Sequence, residues 1–344
     1  MRKIVVTGGL GYIGSHTVVE LVNNGYVPII VDNLSNSYSD VLSWLEKIVD
    51  HRPLFYQIDC TEKEAFRTVF QDHDTIEGVI HFAAFKAVGE SIERPIQYYQ
   101  NNLGSLLSLL DLMSEQGVNN LVFSSSCTVY GIPGGTIQVD ENTPLQKPNS
   151  PYGQTKIISE QIISDAAFSS NIRSVLLRYF NPVGAHESIQ IGELPIGIPN
   201  NLVPFITQTA IGIRHKLSIF GNDYDTPDGT CIRDFIHVSD LAHAHVKALE
   251  YLDKQEEDVS IFNLGTGKGN SVMELVNTFE QVTGHDLSYE FAPRRAGDVP
   301  AIYANADKSN RLLDWTCRYS LEDSLSTAWA WQKHLKEINF KIEQ

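Results

Sequence analysis

Ile4-Val5-Val6-Thr7-Gly8-Gly9-Leu10-Gly11-Tyr12-Ile13-Gly14 decides the fold. A short, β-branched apolar run enters a turn with glycines at 8, 11 and 14. Helical spacing then carries Val18, Leu21 and Val22 to Asn24-Gly25, a helix stop. Such a strand–turn–helix leaves no Cβ where the turn is tight, where a pyrophosphate approaches the backbone and where helix meets strand. The amino end of the helix supplies N–H donors to phosphate oxygens. The stretch therefore predicts a dinucleotide site built from Gly8, Gly11, Tyr12, Ile13 and Gly14.

Further short runs follow the same texture: Pro28–Asp32, Leu54–Asp59, Gly78–Phe82, Leu121–Ser125 and Ser174–Tyr179. They do not alternate apolar with polar, the pattern of strands buried on both faces. Helical segments lie between them, including a long one that starts at Pro95 and runs through Leu103, Leu106, Leu107 and Leu110. The expectation is an α/β, doubly wound parallel sheet of Rossmann type over residues 1–180. After about Phe180, loops marked by Asn181-Pro182, Pro199-Asn200-Asn201 and residues 225–229 predict a smaller, mixed α/β substrate lobe over 181–344. Some of its elements (Ile261–Leu264, a helix from Val272, a last helix near Leu321–His334) return to the first domain.

Asp32 ends the second run, where a carboxylate accepts the ribose hydroxyls and repels a 2′-phosphate; Asn33 and Asn36 follow with no arginine. NAD is expected rather than NADP. Asp59, beside Cys60, can accept from an adenine amino group or cap a turn. Tyr152 and Lys156 stand four apart on a helix, hence on one face. Bringing a phenol from a pKa of about 10 to about 7 takes about 4 kcal/mol of selective phenolate stabilisation. A close ammonium and a cationic nicotinamide can supply it. Ser124-Ser125-Ser126 end a strand; Ser126 is the expected hydroxyl relay to Tyr152, and Thr128 a second substrate contact. Arg233-Asp234 reads as a surface ion pair or, with Arg294-Arg295, as part of a diphosphate clamp. His243 and His245 have no third ligand nearby, so no metal is expected.

Composition bounds the rest. The chain has 344 residues, 42% apolar, and a formal net charge of −16. A surface this acidic disfavours nucleic acid and anionic membranes. No apolar run is long enough to span a bilayer, Met1-Arg2-Lys3 leads into a strand without a leader pattern, and Cys60, Cys127, Cys231 and Cys317 are widely spaced. A cytoplasmic setting is expected.

The sequence resembles the UDP-glucose 4-epimerases, which are extended short-chain dehydrogenase/reductases. The stretches TGGLGYIGSHT, VDNLSNS, VIHFAAFKAVGES, FSSSCTVYG, SPYGQTK, LRYFNPVGAH, GIPNNLVPF, IFGNDYDTPDGTCIRDFIHVSDLA and RRAGDVPAIYAN carry the likeness along nearly the whole chain. It implies tightly held NAD lined by Phe82, Ala83, Lys86, Asn101 and Tyr179. It also implies a nucleotide subsite at Asn181, Asn200, Asn201, Leu202, Phe220, Arg233, Arg295 and Asp298, and a homodimer. The implied reaction is oxidation at C4 by Tyr152, rotation of the keto sugar and return of the hydride. Departures from the pattern are Cys127, Ala84-Phe85 in place of Gly-Leu, Phe235 in place of tyrosine, and Ile302 at the sugar-pocket gate. Rival readings fare worse. A 4,6-dehydratase wants an acid pair where Cys127-Thr128 stands, an NADPH reductase is opposed by Asp32, and a dinucleotide sensor has no need of Tyr152 with Lys156.

Overall fold

The computed structural model describes residues 2–134, 137–295 and 298–342. Its strands are β1 (Arg2–Thr7), β2 (Tyr26–Val31), β3 (Leu54–Tyr56), β4 (Ile76–His81), β5 (Asn120–Ser124), β6 (Gln138–Val139), β7 (Arg173–Tyr179), β8 (Asn181–Val183), β9 (Leu217–Phe220), β10 (Ile232–Arg233), β11 (Phe235–His237), β12 (Val259–Leu264), β13 (Asn270–Ser271), β14 (Tyr289–Ala292) and β15 (Ala301–Ala304). The α-helices are α1 (Tyr12–Asn23), α2 (Asp40–Val49), α3 (Lys63–Gln71), α4 (Val88–Glu93), α5 (Pro95–Gln116), α6 (Pro151–Ser169), α7 (Leu202–Ala210), α8 (Val238–Leu252), α9 (Val272–Thr283), α10 (Asp307–Leu312) and α11 (Leu321–Glu337).

Seven parallel strands form the central sheet in the order β12-β7-β5-β4-β1-β2-β3. Burial on both faces explains the unalternated strand sequences. In β1, Ile4 and Val6 pack with Leu21 of α1 and Leu241 of α8, while Val5 packs with Phe66 of α3, Leu106 of α5 and Ile163 of α6. The strand order reverses between β1 and β4, and a ligand crevice opens at the carboxyl ends beside such a switch point. The expected doubly wound parallel sheet is present, with a small mixed sheet (β13-β10-β15-β6) beside it.

Two details differ from the sequence reading. The third strand stops at Tyr56, so Asp59 lies in the loop beyond it; there its Oδ1 accepts from Thr61 N (2.9 Å) and Oγ1 (2.7 Å), bonds that turn the chain toward α3. Arg233 and Asp234 do not pair. Asp234 is fully buried and accepts from the backbone of Thr266, Gly267 and Ala304 at 2.8–3.1 Å. Arg233 turns instead to Asp298 (3.4 Å) and to the carbonyls of Ile232 and Val299. Neighbours along an extended chain point to opposite sides, which rules out a local pair.

Candidate active site

The first strand-to-helix turn is as tight as its glycines suggest. Gly8 has φ +69°, and a Cβ there would lie 2.9 Å from Ala83 N. A Cβ on Gly14 would lie 2.2 Å from the Gly8 carbonyl oxygen. Gly11 opens α1 with no side-chain cap and no acid in the first turn, so its N–H donors have no competitor for an anion. Tyr12 donates to the Gly184 carbonyl (2.7 Å), and Ile13 packs into the core. A cleft beside the turn is lined by Gly11, Tyr12, Ser15, Asn36, Ile191 and Trp331, among others.

Asp32 is buried at the end of β2, and its carboxylate is oriented by Leu10 N (3.0 Å), Leu34 N (2.9 Å) and Ser37 Oγ (2.8 Å). Asn33 donates to Asp59 (2.9 Å). Burial works against the Asp59 charge, but the bonds from Thr61 and Asn33 carry its pKa below the usual value. Cys60 is buried behind it, and burial pushes its thiol far up. Phe82 N and Ala83 N both bond to Thr7, across the switch point. Asn101 donates to Asn102 (2.9 Å), which in turn donates to Thr155 on α6 (3.1 Å). Phe85 is accommodated against Tyr98, with ring centroids 5.5 Å apart. These residues fit a dinucleotide: a cradle that any Cβ would fill, free helix N–H groups, and an oriented carboxylate with spare lone pairs.

The reactive groups sit where α6 meets the end of β5. The Lys156 ammonium is buried; it donates to the Ser124 carbonyl at 2.6 Å and lies 4.8 Å from the Phe123 ring centroid and 5.9 Å from that of Tyr152. Burial brings its pKa down to about 7, with Glu160 pulling the other way. Burial pushes the Tyr152 phenol up to about 12, and the neighbouring Ser126 side chain opposes the rise. The lowered phenol expected from the sequence is therefore not a property of these side chains alone. Ser126 caps a short 3₁₀ turn, Cys127–Tyr130, by accepting from Thr128 N (3.2 Å). The Thr128 hydroxyl is buried there without a protein partner. Ser124 Oγ bonds to the Tyr179 hydroxyl.

The residues expected to border the nucleotide lie on β8, β9, β10, β15 and the segments around them. Arg233 pairs with Asp298, and its register neighbour on β15 is Ile302. Ile302 is 5% exposed and packs with Cys127, Phe180 and Val299, so it borders the reactive turn. The Arg295 guanidinium stacks 4.0 Å from the Phe220 ring centroid, and Asn181 opens β8. Ala296 and Gly297 of the RRAGDVP stretch lie outside the described residues. Asn200, Asn201 and Leu202 lead into α7. Phe235 is buried among apolar side chains.

Sequence reasoning missed Glu160, Ser125, Arg178 and Glu193. Glu193 joins the two halves of the site: it accepts from Asn201 and faces the Lys86 ammonium at 3.7 Å. Glu160 had a readable signal, since it repeats the four-residue step from Tyr152 through Lys156. His243 faces Glu20 (3.5 Å) whereas His245 bonds the Leu241 carbonyl (2.8 Å), so the two point to different partners.

Known proteins resemble this chain in sequence and fold. The sequence model of the NAD dependent epimerase/dehydratase family matches residues 4–265. The UDP-glucose 4-epimerase of Bacillus subtilis (strain 168) is 50% identical over 330 residues, 96% of each chain. The structure of UDP-glucose-4-epimerase from Stenotrophomonas maltophila with bound NAD and formylated UDP-arabinopyranose superposes with a TM-score of 0.94 at 43% identity, covering 98% of this chain and 100% of that one. The enzyme from Bifidobacterium longum in complex with NAD+ and UDP gives 0.93 at 43% identity, covering 97% and 98%. The chain belongs to the NAD dependent epimerase/dehydratase family.

Proposed function

We propose that this chain is a UDP-glucose 4-epimerase, interconverting UDP-galactose and UDP-glucose with NAD retained through the cycle. The observation that carries the reading is the placement of buried Lys156, bonded to the end of β5, with its ammonium 5.9 Å from the Tyr152 ring centroid. Residues 1–180 hold the cofactor and 181–344 the nucleotide, with β12 joining the central sheet.

NAD, which the Gly8–Gly14 turn and Asp32 would hold, would supply the hydride acceptor and donor for C4. The protein moves the proton: Tyr152 takes it from the 4-hydroxyl, directly or through Ser126, and gives it back. Thr128 offers its unpartnered hydroxyl to the sugar. Arg233 and Arg295, with Asp298 and Phe220 beside them, hold the diphosphate and uracil, while Asn181, Asn200, Asn201 and Leu202 border the nucleotide. Asp32 accepts the ribose hydroxyls, and Asp59 and Asn33 stand by the adenine. The sugar meets mainly the apolar wall at Ile302, which lets it turn over while the nucleotide stays clamped.

We also place the chain in the cytoplasm, since its four cysteines are unpaired. No helix among the described residues is long and apolar enough to cross a membrane. A homodimer through α5 and α6 fits the apolar surface those packed helices leave uncovered: Leu107 is 51% exposed, and Leu103, Ile158 and Ile162 are half-buried.

The purified protein should convert UDP-galactose to UDP-glucose without added cofactor. Tyr152→Phe should keep its NAD and lose about 10²–10⁴-fold in kcat. A base acts deprotonated, so activity climbs as pH rises through the phenol pKa. Lys156→Ala removes the cation that favours phenolate, raises that pKa and moves the climbing limb to higher pH. A Tyr152→Phe enzyme with near-normal turnover would refute the assignment.

Ile302 offers an acetamido group no polar partner, and an unpaired buried amide costs about 1–3 kcal/mol. Activity on UDP-N-acetylgalactosamine should therefore be weak beside that on UDP-galactose. Ile302→Tyr should abolish the weaker activity and spare the stronger one, and an unchanged kcat/KM ratio would remove Ile302 from the pocket wall. Light scattering should give twice the chain mass at micromolar concentration; a stable monomer would rule out the α5–α6 interface.

A further inference from the structure

Three residues on one face of α6 meet three successive residues at the end of β5. Tyr152 lies beside Ser126, Lys156 donates to the Ser124 carbonyl, and Glu160 accepts from the Ser125 hydroxyl at 2.5 Å. The third contact has no place in the chemistry above, yet it is the most deeply built. Ser125 is fully buried, and Glu160 and Arg178 expose only 7% and 3% of their side chains. Arg178 grips the carboxylate with both prongs, Nε at 2.9 Å and Nη2 at 2.7 Å. Its third nitrogen donates to the Tyr130 hydroxyl at 3.2 Å, and Tyr130 donates onward to Asn263 at 2.6 Å.

Ser125 precedes the 3₁₀ turn Cys127–Tyr130, and Tyr130 ends it. The ion pair thus holds both ends of the short segment that presents Ser126 and Thr128. A buried ion pair is a weak stabiliser compared with apolar packing of the same volume. Its stronger effect is to admit one arrangement of its partners, because any other leaves a buried charge unpaired.

We propose that Glu160, anchored by Arg178, is a positioning residue: through Ser125 and Tyr130 it sets the turn so that Ser126 and Thr128 face Tyr152 and the sugar C4. This rests on the epimerase reading and deepens it. Ser125→Ala cuts the link and leaves the ion pair whole; Tyr130→Phe does the same at the other end. In NAD-loaded enzyme each should hold NAD at the wild-type stoichiometry and keep KM for UDP-galactose within about twofold. Each should lose about 10–100-fold in kcat, the scale that misplacement of a reacting group by about 1 Å produces. Glu160→Gln, which retains an acceptor for Ser125, should keep more kcat than Glu160→Ala. Wild-type kcat in Ser125→Ala, or a loss confined to melting temperature and NAD content, would overturn the proposal. A wild-type enzyme that does not convert UDP-galactose would instead overturn the epimerase reading, and that result comes from the parent protein alone.

Discussion

The bond from the Lys156 ammonium to the Ser124 carbonyl, 2.6 Å long and inside the protein, is the constraint on which the site depends. An unpaired ammonium in that place would give up its proton or drive the helix outward. The carbonyl, the Phe123 ring face and the Glu160 carboxylate one turn further along α6 make the burial tolerable. In return they fix the rotation and height of α6 against the end of β5. Tyr152, one turn back, then has one place to go, beside Ser126. The Asn102–Thr155 bond ties the same helix to α5 and the cofactor-side loop.

That arrangement divides the electrostatic task. The protein alone raises the Tyr152 phenol to about 12 and lowers Lys156 to about 7, both through burial. A dry pocket strengthens every charge interaction placed in it. On the proposed reading, a bound, positively charged nicotinamide would supply what the side chains lack, which would link base strength to cofactor binding. The half proposed to hold the nucleotide shows the opposite character. Arg233, Arg295 and Asp298 carry charge, while the wall nearest the reactive turn is Ile302 with Cys127 and Phe180. Tight polar contacts for the part that stays and an apolar wall for the part that turns suit a reaction that presents both faces of one carbon.

Much of this is legible in the sequence because it is local. β-branched runs flanked by turns gave strands whose cores match the observed ones, and the glycine spacing gave a turn whose contacts leave no room for a Cβ. The Tyr152–Lys156 step lies within one helix. What escaped is set by tertiary placement. Glu160 on a helix reads as solvated, and only the packing of α6 on β5 and β7 buries it against Arg178. Glu193 lies in an irregular segment whose partners, Lys86 and Asn201, are distant in sequence or across a loop. Asp234 read as an ion-pair partner because it follows Arg233, whereas its real partners are backbone N–H groups from two later segments.

In the proposed reaction one hydride leaves C4 and returns to the same carbon without leaving the site. UDP-galactose carrying deuterium at C4, turned over by the purified protein with no added cofactor, tests it directly. UDP-glucose should emerge with the deuterium still at C4 in every molecule. Product carrying solvent hydrogen at C4 would contradict it.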